Sequence, residues 1–432
     1  MVFGTTILGS NPSAPANDML LINNIKKILF PFYKEKKIKE IFQILNIDKK
    51  TNAMLVGGCV RNFLNNERIG DIDIATTFTP EEVVKKFSST GFKVIKTGID
   101  HGTITVSKNG KNFEITTLRE DVNTDGRHAE VSFTKDWKKD SERRDFTVNA
   151  IYLDQNGKIF DPQNGVQNLK EKKIKFIGDP QKRIEEDYLR ILRFLRFSIQ
   201  FKDLDTDDQT FKIIQKNLNG IIKISKERIF TELTKILSLD NIKDIFSKRE
   251  FYEIFKVIFP ELKYSDKIKG MNSEIYKKFI QSEKNLLLAL LLVDNSDNHI
   301  YFSHKYKIST HLKEYLVFFH QYFYEAKKNK NFFEKDLKKN IFYHGKSKIV
   351  SLAKFYFISH PKKNYANLVN ILKKIELINI PEFPITGKYL LEQGLKSGRE
   401  MGEILKKIEQ KWIENDFNLG DEELKNLIKK YT

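Results

Sequence analysis

Residues 54–61 read MLVGGCVR, an apolar run that enters a double glycine and then a helix start. Because Gly57 and Gly58 carry no side chains, backbone N–H groups at this turn can approach a phosphate closely. The N-terminus of the following helix adds a favourable dipole for an anion. Gly-Gly turns are nevertheless more often structural than nucleotide-binding, so this motif alone leaves both interpretations open.

Residues 70–75 read GDIDIA, in which acidic and apolar side chains alternate. A strand with this alternation places Asp71 and Asp73 on one face. Two adjacent carboxylates repel each other unless a cation lies between them, and Mg²⁺ prefers such oxygen ligands together with substrate phosphates. Glu114, on a candidate neighbouring strand, could complete a two-metal site. The alternative is that Asp71 and Asp73 face solvent from an edge strand, and that Glu114 only solubilises its own strand.

Residues 142–150 read ERRDFTVNA and place two guanidinium groups and a carboxylate before an apolar run. The side chain of Arg144 suits bidentate contact with a phosphate. Asp145 could accept a hydrogen bond from a ribose hydroxyl. An ordinary surface ion pair would give the same pattern, so the segment indicates nucleotide binding only in combination with the other motifs.

Residues 185–201 are predicted to form one amphipathic helix with a stripe of both charges. Glu186, Arg190 and Arg193 are spaced i, i+4, i+7, and Asp187 lies three residues before Arg190. Such a stripe usually means a solvated, salt-bridged face. The alternative is base recognition, because an Asp acceptor beside an Arg donor matches the amino group and acceptor nitrogen of C and A. U and G present the opposite arrangement.

Composition indicates a folded, basic protein of two to four domains. The 432 residues include 75 Lys and Arg against 57 Asp and Glu, a formal charge of +18. This charge attracts phosphate backbones, although AT-biased coding would also enrich lysine. A single cysteine excludes an internal disulfide and a Cys-based zinc site. No run reaches the roughly 18 apolar residues of a membrane span. Residues 1–18 are predicted to be a disordered leader or a non-native remnant.

The organisation of motifs resembles class II CCA-adding tRNA nucleotidyltransferases and bacterial poly(A) polymerases, within the polymerase-β-like nucleotidyltransferase superfamily. The resemblance spans residues 53–201. It is carried by residues 55–61 (LVGGCVR), 71–76 (DIDIAT), 101–103 (HGT), 143–150 (RRDFTVNA), 161–162 (DP) and by Glu186-Asp187 with Arg190 and Arg193. Each motif is ambiguous alone, whereas their occurrence together in this order is specific.

The resemblance implies a role for each matching residue. Asp71 and Asp73 would hold two Mg²⁺ ions, and Glu114 is added to them as a candidate catalytic carboxylate. The candidate nucleotide-binding residues are Gly57, Gly58, Arg61, Arg144, Asp145, Glu186, Asp187, Arg190, Arg193 and Arg196. Among these, Asp187 and Arg190 would read the base. One departure is Asn62, where the family usually has Asp, and we expect it to alter local helix support and not the chemistry.

Short β-rich runs at 71–75 and 147–153 and a helical segment at 80–87 indicate a mixed α/β domain up to about residue 159, and amphipathic helical patterns follow it. The resemblance also implies an α+β architecture in which a nucleotidyltransferase head with a small mixed sheet precedes an all-α neck, body and tail. We expect the head at 19–165, the neck with the nucleotide-recognition helix at 166–260, and a tRNA-binding body and tail at 261–432. The implied activity is template-independent addition of CCA to the tRNA 3′ end from CTP and ATP, with release of pyrophosphate.

Three alternatives to CCA addition remain open: a poly(A) polymerase, an enzyme that adds only CC or only A, and a non-catalytic RNA-binding protein. Residues 119–137 match the family's flexible loop and favour full CCA addition over CC addition alone. We further expect a cytoplasmic protein that does not bind membranes. The oligomeric state is left open.

Overall fold

A computed structural model of the protein describes residues 31–46, 50–124, 129–203, 207–281, 283–360 and 365–431. The predicted leader at 1–18 lies outside these ranges. The chain divides into two compact units, Met1–Ile258 and Phe259–Thr432. Within the described ranges, no helix is both long enough and apolar enough to cross a membrane.

The first unit is built on a mixed sheet. Its described strands are β1 (Ala53–Val56), β2 (Asp73–Thr76), β3 (Lys93–Gly98), β4 (Thr103–Lys108), β5 (Lys111–Thr117), β6 (Arg119–Thr124), β7 (Ala129–Phe133), β8 (Tyr152–Leu153) and β9 (Ile159–Phe160). Seven of these strands pair in the order β3-β4-β5-β2-β1-β8-β9. The β2–β5 pair is parallel, and the other neighbours in this sheet are antiparallel. Strands β6 and β7 form a separate antiparallel pair.

Strand β1 is buried along its whole length and is an interior strand of the sheet. Its neighbours β2 and β8 lie on either side, so the Gly-Gly turn after β1 is adjacent to the start of β2. Met54, Val56 and Ala75 pack with Leu118 and Tyr152 in one apolar cluster. The sheet thereby fixes the position of Gly57 relative to Asp73.

Two predicted strands differ in the structure. The strand expected at 71–75 begins only at Asp73, and Asp71 lies in the exposed bend before it. The strand expected at 147–153 is a 3₁₀ turn at Thr147–Asn149 followed by the short strand β8. Asn149 explains the turn, because its side-chain N–H donates to Asp145 Oδ1 at 2.9 Å and closes the backbone on itself. The prediction of an extended segment there was wrong.

Helices of the first unit begin and end at sequence signals. They are α1 (Lys36–Leu45), α2 (Gly58–Leu64), α3 (Pro80–Phe87), α4 (Trp137–Glu142), α5 (Gly165–Lys170), α6 (Pro180–Glu186), α7 (Leu189–Phe201), α8 (Asp208–Asn217), α9 (Lys226–Leu237), α10 (Lys243–Ser247) and α11 (Arg249–Ile258). Thr79 and Glu82 form a reciprocal capping box at the start of α3. Asp179 caps α6 by accepting the Lys182 N–H at 2.9 Å, and Pro180 occupies the first helical position.

The single helix predicted at 185–201 is in fact two helices. Helix α6 ends at Glu186, and Asp187 adopts an extended conformation with φ −153° and ψ 101°. Asp187 then starts α7, because its carbonyl accepts the Arg190 N–H at 3.0 Å and its side chain accepts the Leu189 N–H at 3.2 Å. The break moves Asp187 out of the helical stripe that the sequence spacing predicted.

The second unit is all-helical, as the resemblance implied. Its described helices are α12 (Ser265–Lys269), α13 (Ser273–Phe279), α14 (Lys284–Leu292), α15 (Asn298–Tyr306), α16 (Thr310–Lys328), α17 (Leu337–His344), α18 (Lys346–Ile358), α19 (Tyr365–Leu377), α20 (Gly387–Glu392), α21 (Arg399–Glu414) and α22 (Asp421–Tyr431). Residues 286–292 of α14 are all buried, so this helix lies in the core of the unit. The fold class is therefore α+β, with the mixed sheet confined to the N-terminal half.

Candidate active site

The glycine turn after β1 brings the backbone close to the acidic and basic groups of the site. Gly57 has φ +73°, a conformation that side-chain-bearing residues rarely adopt. A Cβ atom on Gly57 would lie 3.6 Å from Asp73 Oδ2 and 3.9 Å from an Nη atom of Arg144. The glycine therefore leaves open the space between an anion and a cation, which is where a phosphate bridging a metal and a guanidinium would fit.

Asp73 is a partly buried carboxylate at the start of β2. Its backbone pairs with Glu114 on the parallel strand β5. Burial, together with the negative charges of Glu114 and Asp71, raises the pKa of Asp73 to about 6 against the opposing effect of Arg144. The carboxylate is thus held where its charge is disfavoured in the absence of a cation.

These residues fit a divalent metal ion. A cation between Asp71 and Asp73 would offset the repulsion that raises the pKa of Asp73. The part of the chain that the structure describes has no cluster of three or more His, Cys, Asp or Glu side chains suited to a metal ion. Mg²⁺ characteristically binds through one or two carboxylates and completes its shell with water and substrate phosphates. Two carboxylates beside an open phosphate site meet that requirement.

Asp140, in the short helix α4, holds the arginines of the RRDFTVNA motif. Its side chain is 1% exposed and accepts from Tyr152 Oη at 2.7 Å, Arg143 Nε at 2.8 Å and Arg144 Nη2 at 3.0 Å. Burial raises the pKa of this carboxyl, but the positive charges of Arg144 and Arg143 prevail and lower it to about 2. Sequence reasoning missed Asp140, although its i, i+4 spacing from Arg144 is the signal that could have identified it.

Arg61 is buried beneath the cavity. Its Nη1 donates to Asn149 Oδ1, its Nη2 donates to Asn62 Oδ1 at 3.0 Å, and its guanidinium lies 4.8 Å from the ring centroid of Phe197. Burial and the nearby charge of Arg196 lower the pKa of Arg61 to about 10. Asn62 also donates to the carbonyl of Arg68 at 3.0 Å, so the residue that departs from the family pattern supports both Arg61 and the end of α2.

Arg193 and Arg196 project from α7 and are both paired with carboxylates. Arg193 donates to Asp145 Oδ2 from Nη2 at 2.5 Å and from Nε at 2.6 Å. Burial raises the pKa of Asp145, but the Arg193 charge and the Asn149 hydrogen bond outweigh it and leave the pKa below its usual range. Arg196 donates from Nε to Glu232 of α9. Asp145 is thus engaged by protein groups at the position where the sequence suggested a ribose contact.

Arg190 and Asp187 have different partners in spite of their proximity in sequence. Arg190 Nη1 donates to Glu186 Oε2 at 2.6 Å and to the Arg183 carbonyl at 2.7 Å. Asp187 Oδ2 instead accepts from Arg228 Nη2 of α9 at 2.7 Å. Glu186 therefore supports Arg190, whereas Asp187, between α6 and α7, pairs with a residue of α9.

One cavity of about 670 Å³ gathers most of the predicted site residues, and this volume suits a nucleotide-sized ligand. The predicted residues that line it are Gly57, Gly58, Arg61, Asp71, Asp73, Arg144, Asp145, Asp187, Arg190, Arg193 and Arg196. Glu114 and Glu186 are not part of this lining but adjoin Asp73 and Arg190. The structure adds Arg228 and Lys235 of α9, which no sequence motif had indicated.

The cavity has an acidic end and a strongly basic wall. Asp71 and Asp73 lie at the sheet, and arginines from α7, from α9 and from positions 143 and 144 just after α4 surround the remaining space. A mixed sheet, a glycine turn beside Asp73 and an arginine-lined cavity together fit the nucleotidyltransferase that the sequence resemblance implied.

Comparison with known proteins specifies the family. Residues 53–175 match the Poly A polymerase head domain, residues 203–265 match an RNA and SrmB-binding site of polymerase A, and residues 278–426 match domain 2 of tRNA nucleotidyltransferases. The chain is 34% identical to mitochondrial CCA tRNA nucleotidyltransferase 1 of Homo sapiens over 427 residues, which covers 91% of this chain and 89% of the relative. It is 31% identical to the CCA-adding enzyme of Streptococcus uberis over 382 residues, 85% of this chain and 91% of the relative. The chain therefore belongs to the CCA tRNA nucleotidyltransferase family.

Solved structures share the fold. The Bacillus stearothermophilus CCA-adding enzyme in complex with CTP aligns with a TM-score of 0.67 at 23% identity, covering 88% of this chain and 94% of that one. The Thermotoga maritima CCA-adding enzyme complexed with tRNA aligns with a TM-score of 0.56 at 22% identity, covering 93% and 97%. The head followed by helical regions is thus the architecture of this family.

Proposed function

We propose that this protein adds C, C and A to the 3′ end of tRNA without a nucleic-acid template. The observation that carries the proposal is the single cavity that joins the carboxylates Asp71 and Asp73 to Asp187 and Arg190. The family membership and the tRNA-directed names of the relatives support the same activity. CTP and ATP are the substrates, and pyrophosphate is the product.

The reaction forms a bond between the tRNA 3′ oxygen and the α-phosphorus and breaks the bond from that phosphorus to the β-phosphate oxygen. Asp71 and Asp73 would hold Mg²⁺. When bound, Mg²⁺ favours loss of the 3′-hydroxyl proton and offsets charge on the departing pyrophosphate. Arg144, fixed by Asp140, lies where it can donate to the triphosphate. The open space at Gly57 allows the triphosphate to approach the backbone.

Base selection would come from protein side chains. Asp187 supplies an acceptor and Arg190 supplies donors, and both line the cavity. The amino group of C or A would donate to Asp187, and the adjacent ring nitrogen would accept from Arg190. The keto oxygen of U or G would face the Asp187 carboxylate and be repelled. One site of this kind would accept both CTP and ATP.

We further propose a division of labour along the chain. Residues 19–165 form the catalytic head, residues 166–260 the neck, and residues 261–432 a body and tail that bind tRNA. The overall charge of +18 favours contact with the tRNA backbone. A cytoplasmic location stays a prediction, since the human relative is mitochondrial by name, and fluorescence microscopy of the tagged full chain in its host would test it.

The test is extension of a tRNA transcript that ends just before CCA, with Mg²⁺ and with CTP alone, ATP alone or both, resolved at single-nucleotide length. CCA addition predicts two additions with CTP and a stop at three with both nucleotides. A long ladder with ATP alone would identify a poly(A) polymerase, and a product that stops at CC or gains only A would identify a partial enzyme. Failure to extend under any condition would favour a non-catalytic RNA-binding protein.

The metal assignment has its own test in the same assay. Asp71→Ala and Asp73→Ala should each abolish extension while circular dichroism stays unchanged. Asp100→Ala is the matched control, because Asp100 is an exposed carboxylate of the same unit. Near-normal extension by either active-site variant would refute the assignment.

A further inference from the structure

Arg228 of helix α9 contacts the residue assigned to base reading. Arg228 Nη2 lies 2.7 Å from Asp187 Oδ2, and both side chains line the same cavity. Ser225 caps α9 and accepts the Arg228 backbone N–H at 3.4 Å, so Arg228 lies in the first turn of that helix. The contact joins residues that are 41 positions apart in sequence.

The Asp187 carboxylate is held through both of its oxygens. Oδ2 accepts from Arg228, and Oδ1 accepts the backbone N–H of Leu189 at 3.2 Å. A carboxylate has about four acceptor sites, so acceptor capacity remains for a ligand. These two donors come from different helices and together fix the plane of the carboxylate.

Stability alone does not account for this ion pair. The Arg228 side chain is 48% exposed and the Asp187 side chain is 27% exposed. Ion pairs with this much solvent contact add little to the stability of a fold. Arg190, by comparison, is oriented by Glu186 and the Arg183 carbonyl, which lie close to it in sequence, and it also donates to the Arg143 carbonyl at 3.3 Å. Asp187 combines one local backbone donor, the Leu189 N–H, with a side-chain donor from α9, so its orientation depends on both.

We propose that Arg228 is a positioning residue for base discrimination. It holds the Asp187 carboxylate at the angle that accepts the amino group of C or A, and it thereby maintains repulsion of the keto oxygen of U or G. Without Arg228 the carboxylate turns about its own bond, and the geometric penalty against U and G falls. This inference rests on the proposed function, since it assigns Arg228 a part in the base selection of the same site.

The experiment compares CTP with UTP in single-nucleotide extension by the full chain. The variants are Arg228→Ala, Arg228→Lys and Lys226→Ala, the last being a matched removal of a cation from the same helix. We expect Arg228→Ala to lower the ratio of kcat/KM for CTP over UTP by about tenfold, a typical coupling between contacting residues. Arg228→Lys should restore most of the ratio, and Lys226→Ala should leave it unchanged.

A double-variant cycle separates positioning from a structural effect. In an Asp187→Ala background, Arg228→Ala should no longer change the preference for CTP, because the group that it positions is gone. An equal loss of activity with CTP and UTP in Arg228→Ala, or an undiminished effect in the Asp187→Ala background, would overturn the proposal.

Equilibrium binding keeps this test independent of catalysis. Competition between CTP and UTP for the tRNA-free protein gives the same preference as a ratio of dissociation constants. If the unaltered protein fails to extend tRNA, the proposed function fails, while the binding ratios of the Arg228 variants still decide the positioning role. If Arg228→Ala does not extend tRNA but keeps the same ratio of dissociation constants for CTP and UTP as the unaltered protein, the positioning role of Arg228 is refuted.

Discussion

Replacing Asp140 by Asn should destabilise the first unit at neutral pH. The carboxylate is 1% exposed and is the shared acceptor for Tyr152, Arg143 and Arg144. Asn keeps the shape of the side chain but removes the charge, and one of its two terminal atoms becomes a donor. Two arginines, each mostly buried, then lose their counter-ion.

The magnitude follows from the pKa and from the exposure of the partners. The interactions of Asp140 lower its pKa from 3.8 to about 2, a difference that corresponds to about 2 kcal/mol in favour of the ionised folded state. Breaking a buried ion pair typically costs about 3 to 5 kcal/mol. The arginine side chains remain 14% and 16% exposed, so partial hydration offsets some of this cost. We therefore expect the free energy of unfolding to fall by about 2 kcal/mol.

The effect should depend on pH in one direction. A carboxyl whose pKa is lowered by folding contributes stability above its unfolded pKa, and this stability is lost as pH falls through the folded pKa. The difference in free energy of unfolding between the original protein and Asp140→Asn should therefore have its full value above pH 4 and shrink toward pH 2. Asp100→Asn, the same chemical change at an exposed position, should show no such difference.

Urea unfolding followed by tryptophan fluorescence measures this loss. The protein has two tryptophans, and replacing Trp412 by Phe leaves Trp137 as the reporter, whose ring centroid is 5.5 Å from that of Tyr152. With a denaturant slope of about 2 kcal/mol per molar, the midpoint should fall by about 1 M at pH 7. An unchanged midpoint at pH 7, or a difference that persists in full at pH 2, would refute the reasoning.

Three further substitutions test the site. Asp73→Asn should abolish extension. In EDTA it should raise the free energy of unfolding by about 1 to 3 kcal/mol, because it removes a charge that burial and Glu114 disfavour. A lower melting temperature in EDTA would contradict this. Asn62→Asp should stabilise the protein by about 1 kcal/mol by giving buried Arg61 a charged acceptor, measurable by urea unfolding. Gly57→Ala should lower the free energy of unfolding by about 1 to 2 kcal/mol, because Ala is strained at φ +73°. It should also raise KM for CTP, and a KM equal to that of the original protein would exclude close approach of the triphosphate to this backbone.

Local signals were sufficient to predict several elements and the composition of the site. Helix α3 has the predicted bounds Pro80–Phe87 because Thr79, Glu82 and Pro80 specify its start through contacts within one turn. The apolar run before Gly57 is a buried strand, as its sequence indicated. Most residues that line the cavity were identifiable because each motif places charged side chains or glycines at a short spacing.

Other features depended on contacts between distant residues and could not be predicted from spacing. The prediction of one helix at 185–201 was wrong because Asp187 forms side-chain and backbone hydrogen bonds at the start of α7 that helical periodicity does not reveal. The segment at 147–153 has an apolar pattern like a strand, but the Asn149 to Asp145 hydrogen bond turns its first residues. In each case a side chain competed with regular backbone hydrogen bonding.

The sequence by itself determined the class of this protein, its division into a mixed-sheet half and a helical half, and the residue types available for chemistry. Those properties depend on periodicity and on motifs within a few residues of each other. Only the tertiary structure decided that Asp145 pairs with Arg193 and Asp187 with Arg228. The Asp145 and Asp187 pairs join different elements, and packing of the helices against the sheet and against each other sets their distances.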